Sequence, residues 1–134
     1  MANKYLIDTH ALIWYMEKNR LLGVDAKAVF DDHASELILP MIALAEAVDV
    51  VGKNRTKVIS VTDLLDRVRR DPRFKLYPLT FAVLHQSFSA SAVPEMHDRL
   101  IVATVLHLQS LGHKVALLTK DSSIVASALV SVVW

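Results

Sequence analysis

The chain has 134 residues, 53% of them hydrophobic, and a formal net charge of +1. That length suits one domain with a real core, expected to run over residues 1–134. It contains no cysteine, which excludes disulfides and thiolate metal sites, and no apolar run approaching the roughly 20 residues of a bilayer span. With no basic leader and apolar segment of the export type, the cytoplasm is the expected location and no membrane partner is expected.

In chain order, Lys4 to Asp8 reads as a short buried strand and Thr9 to Lys18 as a helix with Leu12, Ile13 and Met16 on one face. Gly23 marks a loop, and Asp25 is the expected N-cap of a helix through Asp32. Leu37-Ile38-Leu39 is a second strand, ended by Pro40. A helix from about Met41 to Lys53 follows, then a loop at Asn54-Arg55 and a helix capped by Ser60 or Thr62 that holds Leu64, Leu65 and Val68. Phe74 to Pro78 is a third strand, and Thr80 caps a helix through about Phe88. Residues 89–94 are small and are expected to form a mobile loop. A long helix is expected from Asp98 to about Leu111, stopped by Gly112. Lys114 to Thr119 is the strongest strand, Ser122 to Leu129 a short helix, and Ser131 to Trp134 a last strand.

Strands that are apolar on both faces and alternate with helices predict an α/β fold: a central, mostly parallel sheet of about four or five strands flanked by helices. Ligand sites in such folds lie at the carboxyl ends of the strands. Four acids deserve notice against that frame. Asp8 ends the first strand, Asp121 follows the fourth, Glu46 lies within Ile42-Ala43-Leu44-Ala45-Glu46-Ala47-Val48, and Asp98 precedes the run from Leu100 to Leu106. A carboxylate beside a core is costly unless neutralised. Each aspartate has a plain alternative as a helix cap or first-turn residue. Glu46 is hardest to dismiss, because Ile42 and Val50 flank it on its own helical stripe, which predicts a mainly buried setting. Four converging carboxylates suit a hard divalent cation, Mg²⁺ or Mn²⁺, which takes oxygen ligands and activates water against a phosphodiester.

The segment Tyr5-Leu6-Ile7-Asp8-Thr9-His10-Ala11-Leu12-Ile13-Trp14 resembles the opening of PIN-domain ribonucleases, especially VapC-type toxins of bacterial toxin–antitoxin pairs. His97-Asp98-Arg99-Leu100-Ile101-Val102-Ala103-Thr104 is similar to their third acidic motif. Leu117-Leu118-Thr119-Lys120-Asp121 resembles the fourth, and Ile42-Ala43-Leu44-Ala45-Glu46 fits the second more loosely. The resemblance implies a PIN-like three-layer fold and an endoribonuclease dependent on Mg²⁺ or Mn²⁺, with Asp8, Glu46, Asp98 and Asp121 as its catalytic and metal-site residues. It also implies a homodimer and a small cognate antitoxin. Thr9 and Thr119 would hold carboxylates or waters in place. The pattern departs at Leu39-Pro40-Met41, where many relatives carry Ser or Thr. Glu95 stands where many carry Asp, as an extra site acid or a loop charge.

Other residues admit two readings. Between Lys53 and Lys75 there are eight basic and three acidic side chains, a local charge of +5. This is either a solvated helix face or a flank for a polyanion, with Arg67, Arg69 and Arg70 on RNA phosphates. Arg99 either holds a phosphate or pairs with Glu95. His10 and His97 either pack or touch substrate, and Trp14 and Tyr15 either stack on bases or join the core. With three glycines in all, no phosphate-binding glycine loop is present. Two alternatives to a nuclease stand at this point: a receiver-type Mg²⁺-binding signalling domain, and a PIN-like module that binds RNA or protein without cutting. A haloacid-dehalogenase-type phosphatase needs Asp-x-Asp after strand one, where His10 occupies the second position.

Overall fold

The structure is a computed structural model that describes residues 3–134. Five strands form the sheet: β1 (Lys4–Ile7), β2 (Glu36–Pro40), β3 (Phe74–Tyr77), β4 (Val115–Leu118) and β5 (Val132–Val133). Their spatial order is β3-β2-β1-β4-β5, and every pairing is parallel. Parallel strands need covered faces, which accounts for the full burial of Leu6, Ile7, Leu37, Leu39, Leu117 and Leu118. The helices supply that cover. They are α1 (Thr9–Glu17), α2 (Val24–Asp31), α3 (Met41–Gly52), α4 (Val61–Arg70), α5 (Phe81–Gln86), α6 (Met96–Ser110) and α7 (Ser122–Ser127). Helix α3 packs against α1, α4 and α6, and α5 packs against α6. None of these helices is long and apolar enough to cross a membrane.

The chain first builds outward from β1 to β2 and β3, then crosses to the other side of β1 with β4. That reversal between β1 and β4 opens a crevice at their carboxyl ends, where open parallel sheets bind ligands. Ile7 is in register with Leu118, and the Asp8 N–H donates to the Leu118 carbonyl at 3.3 Å. Asp8 and the residues after Leu118 are therefore neighbours by register alone. The same strand order excludes a receiver-type module, whose first strand lies beside its third rather than its fourth.

Several boundaries differ from expectation. Gly23, not Asp25, caps α2, and Asp25 lies in its first turn. Ser60 rather than Thr62 caps α4, its hydroxyl accepting from the Asp63 N–H at 3.0 Å. Thr80 caps α5 as expected, but the helix ends at Gln86 and tightens into a 3-10 turn over Ser87–Ala90. Over residues 89–94 Ala90 and Val93 are fully buried, while Ser89, Ser91, Ala92 and Pro94 are exposed. Helix α6 begins two residues early, at Met96, because Glu95 caps it by accepting from the Asp98 N–H at 2.8 Å.

Candidate functional site

Asp8 is the first residue beyond β1 and the N-cap of α1. It is only 4% exposed, and each carboxylate oxygen has its own donor. The Thr9 N–H reaches Oδ1 at 2.6 Å, and the Thr119 hydroxyl donates to Oδ2 at 2.5 Å. Thr119 in turn accepts from the Asp121 N–H at 3.1 Å, so one buried hydroxyl ties the end of β4 to Asp8 and to the start of α7. The Thr9 hydroxyl turns the other way, donating to the Ala43 carbonyl at 3.4 Å and fastening α1 to α3. Asp121 caps α7, accepting from the Ile124 N–H at 3.0 Å. The cap readings of Asp8 and Asp121 are thus correct, and both caps also face the crevice. A hollow of about 410 Å³ is lined by the two of them with His10, Trp14, Lys120 and Trp134.

Asp98 sits in the first turn of α6. Burial pushes its pKa up from 3.8 to about 7, reinforced by the negative charges of Asp121, Asp8, Glu95 and Glu46. Asp8 is also shifted up, chiefly by burial and further by Glu46, against the lowering effects of the Thr119 hydroxyl, His10 and the Thr9 N–H. Four other acids thus bear on Asp98, and the five together come from four separate stretches of the chain.

Glu46 is less buried than its apolar neighbours imply. A third of its side chain is exposed, because Ile42 and Val50 are themselves half-buried at the margin of α3. Its carboxylate lies 3.9 Å from His97 Nδ1. That imidazole is held more closely by Glu95, at 2.7 Å, and this hydrogen bond raises the His97 pKa. Burial opposes ionisation of Glu95, but the Asp98 N–H and His97 bring its pKa down on balance. Glu95 is therefore a helix cap and a histidine partner, neither of which its sequence position suggested.

The remaining expected contacts fall elsewhere. Arg99 does not pair with Glu95. Its Nε is buried without a hydrogen-bond partner among the described residues, and it borders a hollow with Leu84, Phe88 and Met96. Arg67 donates to the Met16 carbonyl at 3.0 Å and lies 3.9 Å from Asp63. Arg70 borders a hollow with Tyr15 and Phe74. Neither arginine lines the hollow that contains Asp8 and Asp121. Tyr15 is stacked on Phe30, with centroids 4.1 Å apart and planes 5° from parallel. Sequence reasoning missed Lys120 and Trp134 beside the acids; the register of β4 with β5 brings the latter there.

Among the described residues, no group of three His, Asp or Glu side chains stands close enough together to hold a metal as arranged. The chemistry of the acids nonetheless fits a hard cation. They offer oxygen donors, and a divalent charge offsets both the burial and the mutual repulsion that lift Asp98.

A family model described as PIN domain matches residues 5–129. Three solved structures share the fold across nearly the whole chain. VapBC2 from Rickettsia felis, bound to a DNA fragment from its promoter, gives a TM-score of 0.71 at 13% identity, covering 97% of each chain. FitAcB from Neisseria gonorrhoeae gives 0.67 at 17% identity, covering 96% of this chain and 95% of that one. A toxin–antitoxin complex from Klebsiella pneumoniae gives 0.65 at 16% identity, with 97% and 96% covered. No curated protein sequence matches.

Proposed function

The chain belongs to the PIN-domain family, and from that premise we propose that it is a metal-dependent endoribonuclease, the toxin of a toxin–antitoxin pair. The observation that carries this reading is the joining of buried Asp8 to Asp121 through Thr119 in one hollow at the sheet's reversal point, with the partly buried Asp98 in the field of both. A fold gains no stability from acids that oppose one another's ionisation; a site for a cation has a use for them.

In this reading Asp8, Glu46, Asp98 and Asp121 hold one or two Mg²⁺ or Mn²⁺ ions. When bound, the ion supplies Lewis acidity, lowering the pKa of water and offsetting charge on the leaving oxygen of the phosphodiester. The protein's own task is positioning. The Thr9 N–H and Thr119 hydroxyl fix the plane of Asp8, and the Ile124 N–H fixes Asp121. The carboxylates then orient the attacking water and accept its proton, and Glu95 steadies His97 beside Glu46. The likeness to toxin–antitoxin complexes supports a cognate antitoxin as partner; a homodimer is proposed on the family resemblance alone.

The test is RNA cleavage by purified chain in Mg²⁺ or Mn²⁺ and in EDTA, with Asp8→Asn and Asp98→Asn as controls. Cleavage is expected only with the ion, and only in the unsubstituted chain. Full activity in either folded variant refutes the assignment. RNA binding without cleavage under any ion supports the non-cutting module instead.

A further inference from the structure

The hollow beside Asp8 and Asp121 has a second wall that the acids do not explain. Trp14 of α1 meets Trp134 edge-on, with ring centroids 5.7 Å apart, and the His10 ring lies 5.7 Å from that of Trp14, tilted at 55°. The Lys120 ammonium sits 4.6 Å from the Trp14 ring centroid. Both indoles are half-buried, while His10 and Lys120 are exposed. Trp134 is seated rather than draped: a Cβ added at Gly23 would lie 2.4 Å from its main-chain carbonyl carbon and 2.5 Å from its Cδ1. Only a glycine permits that approach, so the ring is fixed against the start of α2. Tyr15, one residue from Trp14, is used up by its stack on Phe30, whereas Trp14 borders open space. At about 410 Å³ the hollow falls within the roughly 300–1,000 Å³ of small-ligand sites.

Resting on the ribonuclease reading, we infer that this hollow takes an unpaired nucleobase of single-stranded RNA, stacked against Trp14 and Trp134 with Lys120 on its backbone phosphate, beside the bond to be cut. An exposed cation–π contact is weak compared with base stacking, so Lys120 leaves the Trp14 face when a base arrives and moves to the phosphate that comes with it. A paired base keeps its faces within the helical stack and has none to offer, so the subsite selects unpaired RNA. Stacking on an indole is open to every base, so the aromatic wall selects strandedness rather than sequence.

Because the chain's two tryptophans both line the hollow, their emission reports on it alone. In EDTA, where no cleavage occurs, the full chain is titrated with a short mixed-sequence single-stranded RNA, with the same strand annealed to its complement, and with an abasic chain of equal length. Tryptophan emission is followed together with the anisotropy of labelled RNA. Quenching by the single strand is expected, with at least about tenfold weaker binding of the duplex and the abasic chain. Trp134→Leu and Trp14→Leu should each weaken single-strand binding by about tenfold, and Lys120→Gln should lower its salt dependence by about one phosphate contact. Should Trp14→Leu fail to fold, the exposed Lys120 and the Trp134 variant still decide. Equal affinity for single strand, duplex and abasic chain, or unchanged binding in the variants, overturns the subsite. If the chain cuts RNA with Mg²⁺ and yet shows no such preference, the subsite fails and the nuclease stands. Single-strand quenching without any cleavage supports the subsite and removes the nuclease.

Discussion

Replacing Asp98 with Asn should stabilise the metal-free protein at neutral pH while destroying its proposed activity. Burial and the surrounding acids lift the Asp98 pKa from 3.8 to about 7. Between those values the folded protein retains a proton that the unfolded chain has released, so stability falls as pH rises from about 4 to about 7. Those roughly three pH units, at about 1.4 kcal/mol each, set an upper bound near 4 kcal/mol. Asp98 is only partly buried, and solvent screening brings the expected gain to about 2 kcal/mol. For a domain of this size that corresponds to a Tm rise of about 6–8 °C. The assay is thermal unfolding of both proteins in EDTA at pH 4 and pH 8. The two should converge at pH 4 and separate at pH 8, and Mg²⁺ or Mn²⁺ at pH 8 should narrow the gap by raising the Tm of the unsubstituted chain alone. A variant less stable at pH 8, or a gap that is the same at both pH values, refutes the reasoning.

Thr119→Val removes the hydroxyl donor to buried Asp8 and should cost about 1–3 kcal/mol in a denaturant melt; an unchanged midpoint contradicts the role given to that bond. Gly23→Ala drives a Cβ against Trp134 and should lower stability by about 1–3 kcal/mol through overpacking, with a shift in tryptophan emission that a neutral substitution would not produce. Glu95→Gln removes the carboxylate that raises the His97 pKa. Its imidazole titration, followed by NMR, should fall toward 6.5. The pair's contribution to stability is full between about pH 4.5, the ordinary glutamate value, and about pH 6.5, and disappears as pH rises through the elevated His97 value, so the variant's deficit should shrink over that upper range.

The sheet was legible because Leu6-Ile7, Leu37-Ile38-Leu39 and Val115-Ala116-Leu117-Leu118 are apolar on both faces, as a covered parallel sheet requires. Asp8 and Asp121 were legible for the same reason, each being the first acid beyond such a run. The cover over Glu46 is partial because a helical stripe names the neighbours on one helix but not what covers them; Ile42 and Val50 are themselves half-buried. The start of α6 was misplaced because glutamate is not among the usual N-caps. Within residues 89–94 the burial of Ala90 and Val93 could not be read from a run of small residues that has no apolar period. The meeting of Trp134 with Trp14 and Gly23 spans over a hundred positions and leaves no local pattern to read.

The most direct test of the acidic centre is Mn²⁺ binding followed by electron paramagnetic resonance, which needs no knowledge of the RNA. The unsubstituted chain should bind Mn²⁺ near neutral pH and lose binding as Asp98 takes up a proton below about pH 7; Asp8→Asn and Asp98→Asn should each abolish it. Undiminished binding in both folded variants, or none in the unsubstituted chain, would contradict a cation site built on these carboxylates.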